Sequence, residues 1–118
     1  MSHSRLAWAA AACAAAVIAA APARADQTPS STIAQIMVLE RSDSRYREFH
    51  GAVWLQVDKA TYNYRWGGRH CNGADLSDAS LRMLFDAFRE RYVVSLDYTI
   101  VRTKAHTARC ITGFTVTR

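Results

Sequence analysis

Beyond the first 25 residues, the residues able to do chemistry are two cysteines, three histidines, a stripe of aromatic rings and a scatter of arginines. Cys71 and Cys110 are the only cysteines beyond the first 25 residues. In an oxidising compartment such a pair forms an internal disulfide. A loop of about 40 residues closed this way gains roughly 4 kcal/mol from reduced chain entropy. The alternatives are two free thiols or an intermolecular pair. His70 beside Cys71 has the look of a Cys–His nucleophile. A disulfided cysteine cannot attack, and no third orienting group is visible. His50, His70 and His106 show no metal-ligand spacing such as H-x-x-x-H and read as incidental surface residues.

Tyr62, Tyr64 and Trp66 alternate along one strand face. Rings in such a row can stack on the apolar face of a sugar or on a base. Arg65 and Arg69, with Trp54, would border that surface. The competing reading is that the rings are the inward core face of their strand. A ligand surface would then have to come from the charged loops, where Arg41, Arg45 and Arg47 alternate with polar or acidic neighbours. Ser77-Asp78 is a helix cap rather than a catalytic serine, since no G-x-S-x-G turn surrounds it. Gly67-Gly68 lacks the G-K-[ST] of a phosphate loop, and Asp75, Asp78 and Asp86 lack calcium-loop spacing. The expectation is a non-enzymatic protein with no cofactor and no metal.

These residues need a scaffold, and the ends of the chain bound it. Arg5, an apolar run from Leu6 to Ala21, and Ala23-Arg24-Ala25 have the three parts of an export signal. The run is shorter than the roughly 20 residues that span a bilayer. Residues 1–25 therefore read as a cleaved signal peptide, and no membrane span is expected after cleavage. A lipidated Cys13 is the lesser alternative; Ala10-Ala11-Ala12 precede it without the usual leucine. Removing 25 of 118 residues leaves 93, enough for one small domain. The formal net charge falls by two, from +5 to +3, as Arg5 and Arg24 leave. That mild charge permits anionic ligands without demanding them. Export and the mild charge argue against nucleic acid.

Residues 26–32 (DQTPSST) read as a flexible lead-in, and 33–118 as a single disulfide-closed domain. Ile33 to Leu39, Ala52 to Val57 and Thr61 to Trp66 have strand length and alternation, with Asp58-Lys59 as a turn. Ser77 caps a helix whose stripe is Leu81, Leu84, Phe85 and Phe88. Tyr92 to Val101 and Arg109 to Thr117 return to period two. In the latter, Cys110, Thr112, Phe114 and Val116 would share a side. Three strands, a helix, then two strands is the order of an OB-fold, a β-rich, five-stranded barrel whose single helix lies between strands three and four. An open antiparallel sheet with the helix on one face uses the same elements.

The run from Trp66-Gly67-Gly68 through Cys71, the helix Leu81 to Phe88, the strand Val93 to Tyr98 and Arg109-Cys110-Ile111 resembles small secreted bacterial OB-fold proteins, such as the B subunits of AB-type toxins. The resemblance covers about half of the mature chain and rests on element order and cysteine placement. It implies a glycan-binding subunit that forms a homo-oligomeric ring. The expectation is thus an exported binding module, periplasmic or secreted, whose partner is a glycan or a protein. A small inhibitor or immunity-type protein acting on an enzyme is the alternative, and an exported OB-fold protein taking an anionic ligand is a third.

Overall fold

The structure, a computed structural model, describes residues 26–118. The signal-peptide reading falls on residues 1–25 and lies outside the described residues. The chain runs β1 (Asp26–Gln27), β2 (Ser31–Val38), β3 (Gly51–Val57), β4 (Ala60–Trp66), α1 (Asp78–Glu90), β5 (Val93–Arg102) and β6 (Thr107–Thr117). No helix among the described residues is long and apolar enough to cross a membrane.

Five strands close into a barrel in the order β5-β2-β3-β4-β6, with β6 returning to β5. Every pairing is antiparallel except β4 with β6, where Arg65 faces Cys110. This is the OB-like barrel, with its helix between the third and fourth barrel strands. The closing pair β5–β6, matched from Val93–Thr117 to Arg102–Thr107, removes the open-sheet alternative.

Local sequence explains the elements. Val57 pairs with Ala60 across a two-residue turn, and Asp58 takes the left-handed backbone (φ 57°) that a short aspartate side chain tolerates. Ser77 caps α1 by accepting from the Ser80 amide, and Asp78 sits in the first turn. Arg91 ends it in a left-handed cap.

The polar lead-in is bonded to the barrel. Asp26 and Gln27 pair with Tyr98 and Asp97, and Ser31 and Thr32 pair with Val94 and Val93. Between them Pro29 has no amide to offer. Thr28 holds the seam there instead: its amide donates to the Leu96 carbonyl at 2.8 Å, its Oγ1 accepts from the Leu96 amide at 2.9 Å, and its carbonyl accepts from the Ser95 hydroxyl. Residues 26–32 thus form the β2–β5 seam.

The barrel interior holds Val53 and Leu55 of β3, Tyr64 and Trp66 of β4, Val94 and Leu96 of β5, and Ile111 of β6. Leu84 and Ala87 plug it from the helix. The expected stripe is rotated: Phe85 and Phe88 lie on the flank, 44% and 42% exposed. Ala87 has little side chain and lets the helix approach closely there, so the buried line runs Leu84–Ala87. The last strand also departs from simple alternation. Tyr98 pairs with Ile111 and Asp97 with Gly113, which leaves Thr112 as an extra residue. That bulge reverses the facing beyond it. Ile111 points inward, as do Phe114 and Val116, while Cys110 belongs to a separate cluster with Cys71, Ala108, Ala74 and Val101.

The Cys71–Cys110 disulfide forms as expected, with Cα atoms 5.5 Å apart. It lies at the parallel β4–β6 seam, where one residue pair bridges the two strands. The covalent link therefore reinforces the least hydrogen-bonded closure of the barrel.

Candidate functional site

The aromatic stripe is divided by the structure. Tyr64 and Trp66 are 3% and 2% exposed, inside the barrel, where no ligand reaches them. Burial pushes the Tyr64 hydroxyl above its usual pKa, with the neighbouring Tyr98 adding to that and Arg109 opposing it. Tyr62, at the strand's far end, is 37% exposed and carries the Arg109 guanidinium 4.7 Å above its ring. The stripe is core for two of its three rings, and Tyr62 stands away from the other candidates.

Arg65 and Arg69 belong to a different place. Arg65 alternates outward from β4, and its guanidinium lies 4.3 Å over the Phe49 ring. One of its terminal nitrogens lies 2.7 Å from Nδ1 of His70. Arg69 reaches Glu48 at 3.6 Å. His70 Nε2 lies 3.5 Å from the same carboxylate, and the His106 ring centre is 3.8 Å from that of His70.

Three connections bring these groups together. Glu48 lies in the β2–β3 loop, Arg69 and His70 follow β4, and His106 ends the β5–β6 turn. Backbone bonds align the first two: the Arg69 amide donates to the Arg47 carbonyl (3.1 Å) and the His70 amide to the Glu48 carbonyl (2.9 Å). Gly68 makes that approach possible. Its φ is +69°, and a Cβ there would meet the Glu48 carbonyl oxygen at 2.5 Å. The β5–β6 turn is held by Thr103, whose amide donates to the His106 carbonyl and whose hydroxyl accepts from the His106 amide.

Glu48, His70 and His106 are far apart in the chain, so no local spacing marks the histidines as partners. A signal was present. The disulfide joins the neighbour of His70 to a residue four beyond His106, so pairing the cysteines already brings those two histidines close.

The chemistry of the cluster follows from its hydrogen bonds. Arg65 can only donate, so His70 Nδ1 must accept, and the His70 proton resides on Nε2, facing Glu48. Burial lowers the pKa of His70; His106 and Arg65 lower it further, and Glu48 partly offsets them. His70 is therefore neutral at pH 7. Burial also lowers the pKa of Arg65, which remains charged.

Glu48, His70 and His106 offer three donor atoms within 4.8 Å, the ligand types and number of a zinc site. The tautomer disagrees with that use. A metal on Nε2 needs the proton on Nδ1, which would point a donor at the Arg65 donor 2.7 Å away. Metal-bound histidines ordinarily offer that second N–H to an acceptor. The residues present do not fit a cation.

They border a cleft that does suit an anion. Arg41, Asp43, Ser44, Tyr46, Arg47, Glu48 and Arg69 line an open space of about 630 Å³. Asp43 grips Arg45 through Nε (3.1 Å) and a terminal nitrogen (3.0 Å), and takes the Arg45 amide as well. Arg41 and Arg47 make no ion pair among the described residues. Tyr46 stacks on His50 at 4.1 Å, and His50 meets Asp75 at 3.2 Å, so the loop is tied to the segment before the helix. Leu39, Phe49 and Ala52 form a small core beneath it.

No protein-family model matches the chain, and neither a curated protein nor a solved structure matches it.

Proposed function

We propose that this protein is an exported, non-enzymatic binding module that takes an anionic ligand, an acidic glycan, in the arginine-lined cleft of its β2–β3 loop. The observation that carries the reading is the meeting of Arg41, Arg47 and Arg69 on one cleft, two of them without a carboxylate partner among the described residues. Guanidinium groups match carboxylate, sulfate and phosphate in a planar, two-pronged way. The loop's place in the barrel agrees with this. OB barrels hold oligosaccharides and oligonucleotides between the connection after the first strand and that between the last two. Those connections here contain Glu48 and His106. The disulfide supports an oxidising compartment, hence export.

A glycan array followed by titration tests the proposal. Acidic oligosaccharides should bind and their neutral counterparts should not. Arg41→Ala with Arg47→Ala should weaken binding by about tenfold or more, because each charged hydrogen bond contributes about 1.5–3 kcal/mol. Thermal stability should stay near that of wild type. Equal binding of neutral sugars, or unchanged affinity in the double variant, would sink the proposal. An inhibitor of a secreted enzyme is the second reading, favoured by the same loop being pre-set by the Asp43–Arg45 pair and the Tyr46–His50 stack.

A further inference from the structure

We propose that Arg69, His70 and His106 form a proton-linked carboxylate subsite, in which the protein's own Glu48 occupies the place of a ligand carboxylate and yields it when an acidic sugar binds. The inference rests on the anionic-ligand reading above and names the group that the site selects.

Glu48 is held at a distance by both of its partners. Its carboxylate lies 3.6 Å from Arg69 and 3.5 Å from His70 Nε2. Charge-assisted bonds settle at about 2.7–2.9 Å. Its side chain is 39% exposed, so the carboxylate is loosely held and can swing to water. By contrast, Asp43 holds Arg45 at 3.0 Å in the same loop. Two carboxylates a few residues apart thus differ in kind: one is locked, the other is exchangeable.

Charge balance also supports the subsite. The Arg69 guanidinium and two imidazoles face one carboxylate, and the Arg65 guanidinium lies behind them on Nδ1 of His70. Arg65 is half-buried over Phe49 and makes no ion pair among the described residues. A cation withdrawn from water without a counter-ion is unfavourable, and a second negative group nearby offsets that. A ligand carboxylate brings that charge.

Proton linkage supports it too. His70 is faced by Arg65 from β4, Glu48 from the β2–β3 loop and His106 from the β5–β6 turn, with Arg69 beside it in its own segment. With the rings 3.8 Å apart, a proton on His70 is opposed by His106 and by Arg65. An anion placed against both rings reverses that opposition, so binding takes up a proton. Affinity then rises as pH falls through the histidine range. The depressed pKa of His70, to which burial, His106 and Arg65 all contribute, agrees with this.

Calorimetry with a glucuronic-acid oligosaccharide, at pH 8 and pH 5.5 in buffers of different ionisation enthalpy, tests the subsite. Wild type should bind about tenfold more tightly at pH 5.5, with uptake of about one proton. Glu48→Gln, which keeps the shape and removes the competing charge, should bind more tightly than wild type at pH 8. His106→Gln, which removes one of the two facing imidazoles, should flatten the pH dependence, with circular dichroism showing the fold intact. If Glu48→Gln weakens binding, or the wild-type profile is flat while Arg41→Ala with Arg47→Ala still abolishes binding, the subsite is wrong and the cleft reading survives. If inorganic phosphate competes as well as the oligosaccharide, the carboxylate assignment is overturned. Absence of binding at both pH values in every variant overturns the subsite and the cleft together.

Discussion

Tyr64 and Arg65 are neighbours on β4 with opposite surroundings. Tyr64 points into a dry interior of aliphatic and aromatic side chains closed by Leu84 and Ala87. Arg65 points out to a cluster of histidines, arginines and one carboxylate collected from three connections. The interior is built from consecutive, strongly patterned strands. The outer cluster is built from residues with no pattern, placed by backbone bonds, Gly68 and the disulfide. The aromatic residues that most resemble a binding platform in sequence hold the barrel together, and the groups able to bind a ligand lie in the loops.

The strongest test of this division is Trp66→Ala. Trp66 is among the largest fully buried side chains, and its removal leaves a cavity. The expected loss is about 3–5 kcal/mol, read as a lower urea midpoint. A variant that kept its stability but lost glycan binding would place the ring in the ligand site and break the comparison.

Replacing Cys71 and Cys110 together by alanine should cost about 2–5 kcal/mol. The disulfide touches both regions, because it joins the β4–β6 seam and stands next to His70. Its loss should therefore lower the urea midpoint and also shift the imidazole resonances of His70 and His106. Unchanged imidazole signals would show that the Arg69–Arg47 and His70–Glu48 backbone bonds hold the cluster unaided.

These two substitutions also mark what could be read from sequence. The barrel was legible because burial enforces periodicity: Tyr64–Trp66 and Val94–Leu96 alternate with outward residues. The bulge at Thr112 was not, since an extra residue leaves no trace in alternation and is settled only by pairing with Asp97 and Tyr98. The helix stripe overstated Phe85 and Phe88, because amphipathicity does not reveal that Ala87, rather than either ring, is fully buried. Of the candidate binding residues, Arg65 and Arg69 reach the cluster, and Tyr64 and Trp66 do not. Glu48 and His106 were invisible as partners of His70, because only tertiary contact unites them.

The smallest expected effect lies in the cleft's own loop, at Asp43 and Arg45. The side-chain hydrogen bonds from Arg45, then its backbone amide, hold the Asp43 carboxyl at about 2, below its ordinary 3.8. A carboxylate with a depressed folded pKa contributes stability above the unfolded value, and that contribution is lost as pH falls from about 4 toward 2. The pair is exposed, so at pH 7 Arg45→Gln should leave the urea midpoint near that of wild type. The local signature should be clear: the carboxyl carbon of Asp43 should titrate near 2 in wild type and return toward 3.8 in the variant. In Trp66→Ala the reverse is expected, a lowered global midpoint with the Asp43 titration unchanged while the protein is folded. An Asp43 midpoint that followed global stability would show that the loop folds as part of the barrel core, and the two regions would be one.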